Sequence, residues 1–191
     1  MTDADIRTSV TGRLVEDLDA GFVAMFDGYR DVVFSTALRL CGRWADAEDL
    51  TAETFLRAYR ALAGYDADRI AELRVRAWLL TILTNLWRNS VRSAVRRPSP
   101  APLENAPDLA DPHEGAELIA ERHETGRELA ALLGELPEEQ RLAVVLRHVA
   151  DLPIADIATV LGSPQGTVKS HISRGLGRLR LRFEGERHEQ P

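Results

Sequence analysis

Lys169, Arg174, Arg178, Arg180 and Arg182 share one short stretch of chain, and no acidic residue falls between Asp156 and Glu184. Cations at helical spacing can pair with phosphates, and guanidinium forks can read base edges. A second basic run holds Arg74, Arg76, Arg88, Arg92, Arg96 and Arg97, with Trp78 and Trp87 interleaved and again no acid. Such a run suits a nucleic-acid backbone, with aromatic and polar faces available to unstacked bases. Asp46, Glu48, Asp49 and Glu53 do the opposite and would repel phosphate. They fit a basic protein partner, or simply a solvated helix start that obeys the helix dipole. Nothing suits covalent or metal chemistry. His113, His123, His148, His171 and His188 lack ligand spacing with one another or with Cys41. Gly162–Ser170 lacks the spacing of a phosphate loop, and no Ser/His/Asp constellation stands out. The reading is therefore of a non-enzyme without metal or cofactor.

These residues need elements to hold them. Ile154, Ile157, Ala158 and Leu161 form one apolar helical stripe. Gly162 permits a left-handed turn, Ser163 can cap, and Pro164 suits the start of a new helix. The sequence thus predicts a helix-turn-helix whose second helix is basic, the geometry that enters a major groove. Its N-terminal half should face bases, through Gln165, Thr167, Lys169, Ser170 and Arg174, while Val168, Ile172 and Leu176 face inward. Arg178, Arg180 and Arg182 either touch phosphates or simply lie on the surface. Upstream, a helix around 127–133 precedes another that Leu136-Pro137-Glu138-Glu139 opens and that runs through Val149. In the N-terminal half three stripes recur: Phe22, Met25, Phe26, Tyr29, Val33, Ala37 and Leu40, ending at Gly42; Leu50, Phe55, Ala58, Tyr59 and Leu62; and Trp78, Leu79, Ile82, Leu83, Leu86 and Val91. On this spacing Trp78 is mainly core and Trp87 is ambiguous. Each stripe is narrow enough that the helices must pack on each other.

Charge divides the chain. The net charge is −6. Residues 1–97 hold fourteen basic and fourteen acidic side chains, and 125–191 hold nine of each. The excess lies in 98–124, with seven acids against Arg122 alone and Pro98, Pro100, Pro102, Pro107 and Pro112. That composition reads as a stiffened linker between two small domains. The expected layout is a flexible N-terminus at 1–11, a helical bundle at 12–97, an acidic Pro-rich linker at 98–124, a helix-turn-helix domain at 125–183 and a frayed tail at 184–191. No run is apolar enough to span a bilayer, the N-terminus is not ordered like a signal peptide, and the lone Cys41 suits a reducing compartment; the expectation is a cytoplasmic protein without membrane insertion.

Three segments then resemble one family in order. Asp46-Ala47-Glu48-Asp49-Leu50-Thr51-Ala52-Glu53-Thr54-Phe55-Leu56-Arg57-Ala58-Tyr59-Arg60 looks like the core-polymerase-binding segment of bacterial sigma factors. Arg76-Ala77-Trp78-Leu79-Leu80-Thr81-Ile82-Leu83-Thr84-Asn85-Leu86-Trp87-Arg88 resembles their −10 segment. Leu136-Pro137-Glu138-Glu139-Gln140-Arg141 and Gly166-Thr167-Val168-Lys169-Ser170-His171 match their −35-binding domain. The arrangement is similar to the extracytoplasmic-function (ECF) group of the sigma-70 family. The resemblance implies an all-α fold, with a sigma-2-like bundle and a sigma-4-like helix-turn-helix domain. It implies binding to RNA polymerase core through Asp46, Glu48, Asp49 and Glu53. The −10 element would be met by Asn85, Trp87, Arg88 and Arg92, and the −35 element by Gln165, Thr167, Lys169, Ser170, Arg174 and Arg178. An anti-sigma factor is implied as a partner, and the linker would thread near the RNA exit path. Two departures are visible: the loop 64–73 is longer and less Ser/Gly-like than the family's, and Asn89 stands where aspartate is common. The main rival is a regulator that acts alone as a dimer on symmetric half-sites. A nucleic-acid-processing enzyme lacks a nucleophile or metal cluster here, and a decoy protein would not need both basic stripes.

Overall fold

Helical periodicity carries through to the architecture. In the computed structural model, which describes residues 3–96 and 129–188, every regular element is an α-helix. The first domain comprises α1 (Asp3–Glu16), α2 (Leu18–Cys41), α3 (Trp44–Leu62), α4 (Ala67–Ala71) and α5 (Val75–Arg96). A short helical segment at 129–134 leads into the second domain, α6 (Glu138–His148), α7 (Ile154–Leu161) and α8 (Gln165–His188). The linker expected at 98–124 lies outside the described residues.

The long helix α2 is fixed at both ends by local chemistry. The Asp17 carboxylate accepts from the backbone N–H groups of Asp19 and Ala20 at 2.9 and 3.0 Å, capping its start. Gly42 adopts φ 76° and ends it, a conformation that disfavours a Cβ. Between them Met25, Tyr29, Val33, Ala37 and Leu40 are buried, as the stripe predicts. Phe26 stays partly exposed and meets Phe55 edge-on at 4.8 Å between ring centroids. On α3, Ala47, Phe55, Ala58 and Leu62 face the same core.

Three expectations need correction, and the atypical loop 64–73 gains a definite structure. Residues 3–16, expected to begin with a flexible lead at 1–11, form helix α1, packed on α2 through Val10 and Leu14. Gly21 makes the packing possible, because a Cβ there would lie 2.4 Å from the backbone nitrogen of Leu14. The loop 64–73 contains α4, capped by Asp66 and seated on α1 through buried Ile70. Arg69 lies 3.6 Å over the Tyr65 ring, which in turn leans on Trp78 at 5.9 Å. The buried stripe of α5 is Leu79, Leu80, Leu83, Leu86 and Trp87, with Trp78 and Ile82 only half-buried. The rotation arises because α5 is covered twice, by α2 and α3 on one side and by α7 on another. Finally, α8 continues to His188 instead of fraying at 184.

In the second domain α6 is the central element. Five consecutive residues, Leu142 to Leu146, are buried because α2, α7 and α8 all pack around it. Gly175 lets α8 approach closely, since a Cβ there would sit 2.7 Å from Val144 Cγ2. Arg141 ties the domains together. Its guanidinium donates to the carbonyl oxygens of Gly134, Leu136 and Leu40 and lies 5.5 Å from the Trp87 ring centroid.

Candidate polymerase and nucleic-acid interfaces

The helix-turn-helix forms where the apolar stripe and Gly162 require it. Gly162 takes φ 62°, the Ser163 N–H donates to the Ala158 carbonyl at 3.0 Å, and the Val168 N–H to the Pro164 carbonyl at 3.1 Å. Gln165, Thr167, Lys169, Ser170 and Arg174 are all exposed along the first turns of α8. Val168 and Ile172 are buried beneath them, while Leu176 is more open than its spacing predicts. The three arginines that follow have different roles. Arg178 donates to Gln140 Oε1 at 2.9 Å, and Arg182 forms a two-point contact with Glu135 at 2.6 and 2.7 Å. Both hold α8 against the start of the domain, and the Arg182 guanidinium lowers the Glu135 pKa. Arg180 is exposed.

On α5, Asn85, Asn89 and Arg92 recur at helical spacing and are exposed. Two residues expected beside them are placed differently. Trp87 is 3% exposed, and the Arg88 side chain 15% exposed. Arg88 is drawn to α6, its Nε donating to Glu138 Oε1 at 3.2 Å and its Nη2 to both Glu139 oxygens at 2.9 and 3.0 Å. Trp87 is ambiguous in the sequence because it sits off the expected stripe; the packing of Arg141 and the second domain covers it.

The acidic helix start of α3 is also differentiated. Asp46 is held by Arg43 through two 2.6 Å contacts, and Glu53 by Arg57 at 2.6 Å. Glu48 and Asp49 are exposed, with no ion pair to another described residue. The same pair of helices carries an apolar seam, built from the stripe residues Phe26 and Tyr59 and two residues off the stripes. Val23 and Phe26 on α2, and Leu56 and Tyr59 on α3, leave apolar surface in water, Val23 at 59% exposure. A signal for it exists, since Val23 and Leu56 are large apolar residues off the core stripe. Phe22 backs the seam, 5.0 Å from the Tyr59 ring, and the Tyr59 hydroxyl donates to Asp19 at 2.7 Å. That bond raises the Tyr59 pKa. Exposed acids and exposed apolar side chains on one pair of helices have the chemistry that suits a basic, partly apolar protein segment. No described helix is long and apolar enough to cross a membrane, and no cluster of metal-ligating side chains occurs among the described residues.

A helical protein with an exposed helix-turn-helix, a second polar and basic helix face, and an acidic and apolar α2–α3 surface has the features of a DNA-binding transcription factor. Similarity to known proteins narrows this. Sigma-70 region 2 matches residues 25–97, and Sigma-70 region 4 matches 126–179. The chain is 31% identical over 168 residues to the RNA polymerase sigma-E factor of Streptomyces avermitilis, spanning 86% of this chain and 88% of that one. It is 31% identical over 173 residues to the RNA polymerase sigma-H factor of Pseudomonas aeruginosa, spanning 85% and 88%. With the ECF RNA polymerase sigma factor SigE of Mycolicibacterium smegmatis it is 37% identical over 152 residues, which are 80% of this chain but 57% of that relative's length. The fold matches that of CnrH, solved in complex with the cytosolic domain of CnrY, at a TM-score of 0.70 and 19% identity over 94% of this chain and 98% of that one. It also matches the sigma factor RpoE of Bartonella quintana, solved with the anti-sigma factor NepR, at 0.63 and 23% over 89% and 98%. The chain belongs to the extracytoplasmic-function group of sigma-70 RNA polymerase sigma factors.

Proposed function

We propose that this chain docks on RNA polymerase core through the α2–α3 face, with Glu48 and Asp49 as its accessible charges and Asp46 and Glu53 behind them. The first turns of α8 read the −35 element through Gln165, Thr167, Lys169, Ser170 and Arg174. The α5 face, with Asn85, Arg88 and Arg92, meets the −10 element and helps to open the duplex. Arg178 acts in this reading by holding α8 on Gln140, and Trp87 by supporting the α5 helix, so neither needs to touch DNA. The carrying observation is that one chain exposes an acidic-apolar face and a basic recognition helix on separate domains. A stand-alone regulator has no use for the first. The chain performs no chemistry of its own; the polymerase does, in the bacterial cytoplasm. An anti-sigma factor would compete for these faces, and the acidic residues at 104–124 would lie along the RNA exit path.

The test is transcription in vitro with purified chain, sigma-free core polymerase and a library of promoter fragments. Discrete start sites that require this chain are expected. Tight protection of two symmetric half-sites by the chain alone, with no transcripts, would overturn the reading in favour of a dimeric regulator.

A further inference from the structure

The first turns of α8 carry a glycine that the protein itself does not require. Gly166 is exposed and helical, its φ is not positive, and a Cβ there would meet no other part of the chain within 4 Å. Gly162 and Gly175, on either side of it, are explained by a left-handed turn and a close helix approach. Neither reason applies to Gly166. Glycine in an exposed helix is less stable than alanine by about 1 kcal/mol, so in the free chain Gly166 brings only a loss. Gly166, Ser170 and Arg174 recur every four residues and share one line of the exposed face that the −35 reading turns toward bases. The Ser170 hydroxyl donates to the Gly166 carbonyl at 3.0 Å. A carbonyl has no proton to offer, so the hydroxyl hydrogen must lie between the two oxygens. Outward, Ser170 therefore presents lone pairs alone.

Resting on the −35 assignment of α8 above, we infer that Gly166 and Ser170 form one specificity device that selects a base carrying an exocyclic amino group. The missing side chain lets the base edge reach the first turn, and Ser170 accepts from it. In the major groove adenine and cytosine offer an amino donor, while guanine and thymine offer an oxygen in its place. A hydroxyl that can only accept pairs with the first two and sets oxygen against oxygen with the others. Selection therefore comes partly from rejection, because the mismatched edge leaves buried acceptors unpaired. A serine free to rotate would not discriminate in this way, since it could equally donate to guanine or thymine. To do so here, Ser170 would first have to give up its bond to Gly166. Access depends on the same glycine. A methyl group at 166 would lie more than 4 Å from the Ser170 hydroxyl, leaving it in place, yet would fill the open space in front of the first turn.

The test starts from the duplex that the full chain enriches from a random pool, so it does not depend on transcription. Each adenine or cytosine of the enriched site is replaced in turn by purine or pyrimidin-2-one, which lack the amino group, and affinity is read by fluorescence anisotropy. One such replacement should weaken wild-type binding about tenfold and S170A binding not at all. S170T keeps a hydroxyl that can bond back to the helix carbonyl and should respond as the wild type does. G166A should raise Tm yet weaken binding to the enriched duplex about tenfold. G12A is the control, because Gly12 is also exposed in a helix with nothing within 4 Å of a Cβ; it should raise Tm and leave binding unchanged. The assignment of Ser170 is overturned if S170A cancels no replacement, or if the base it ceases to distinguish is guanine or thymine. Unchanged binding by G166A would remove Gly166 from the device, and a pool that yields no enriched site would overturn the device altogether. Failure to start transcription with core polymerase from templates carrying the enriched site would instead strike the sigma-factor reading, while the substitution series would still decide the roles of Gly166 and Ser170.

Discussion

Replacing Gly175 with alanine sets two effects of known size against each other at the helix that reads DNA. In an exposed helix the exchange stabilises by about 1 kcal/mol, because glycine costs more backbone entropy. Here the new Cβ would stand 2.7 Å from Val144 Cγ2 and 3.5 Å from Gln140 Cβ. Ordinary carbon contacts lie near 3.5–4.0 Å, so about 1 Å must be found. Val144 cannot easily provide it, being β-branched, stiff at χ1 and 5% exposed. Overpacking of this kind costs about 1–3 kcal/mol, which leaves G175A destabilised by roughly 0–2 kcal/mol after the propensity gain. For a domain this small that is a fall of about 4–8 °C in Tm per kcal/mol, measurable by circular dichroism. The displaced α8 should also bind a −35 duplex more weakly, since Lys169 and Arg174 ride on it. V144A alone should destabilise, but G175A/V144A should be less than additive by about 1 kcal/mol or more, because the truncated side chain makes room. An increase in Tm for G175A, or strictly additive losses in the cycle, would show that the close approach does not constrain the recognition helix.

Other expectations follow from the same geometry. K169A and R174A should each weaken −35 binding and lower the salt slope of log K by about 1 for each phosphate no longer neutralised, measured by fluorescence anisotropy at several salt concentrations; an unchanged slope would place these side chains off the backbone. Charge reversal in E48K/D49K should lower the affinity for core polymerase while leaving −35 binding by the chain alone intact, whereas the same reversal at Asp46 should mainly break its pair with Arg43; surface plasmon resonance against immobilised core separates the two. Burial raises the Cys41 thiol pKa and half-covers the side chain, so less thiolate is available at mildly alkaline pH. Its reaction with a disulfide reagent at pH 8 should be slow in the native chain and fast in urea, and equal rates would contradict the placement.

How much of the fold is legible in the sequence depends on whether the information is local. The stripe Met25–Tyr29–Val33–Ala37–Leu40 and the turn at Gly162 are short-range patterns, and both appear where the spacing puts them. Helix α1 is hidden because MTDADIRTSV is polar on average. Yet Ile6, Val10 and Leu14 recur every four residues, and that narrow stripe is what α2 covers. The α5 stripe reads one residue off, since a helix covered on two sides has no single apolar face to find. The contacts of Arg88, Arg141 and Arg178 join residues 50, 101 and 38 positions apart. No periodicity encodes such pairs.

Those distant pairs change how the arginines should be counted. In sequence, six arginines from Arg74 to Arg97 and five basic residues from Lys169 to Arg182 look like two equivalent stripes. In the fold they divide by partner. Arg178 and Arg182 are paired within their own domain to Gln140 and Glu135, Arg74, Arg76 and Arg88 are paired across domains, and Lys169, Arg174 and Arg92 face solvent. Non-specific attraction to DNA depends on the last set, because only uncompensated charge releases counterions. A near-neutral first domain and a near-neutral second domain therefore need not behave as neutral surfaces. Glu135, Glu138, Glu139 and Asp156 all sit opposite arginines, whereas no acid falls between Asp156 and Glu184, so the first turns of α8 keep Lys169 and Arg174 uncompensated.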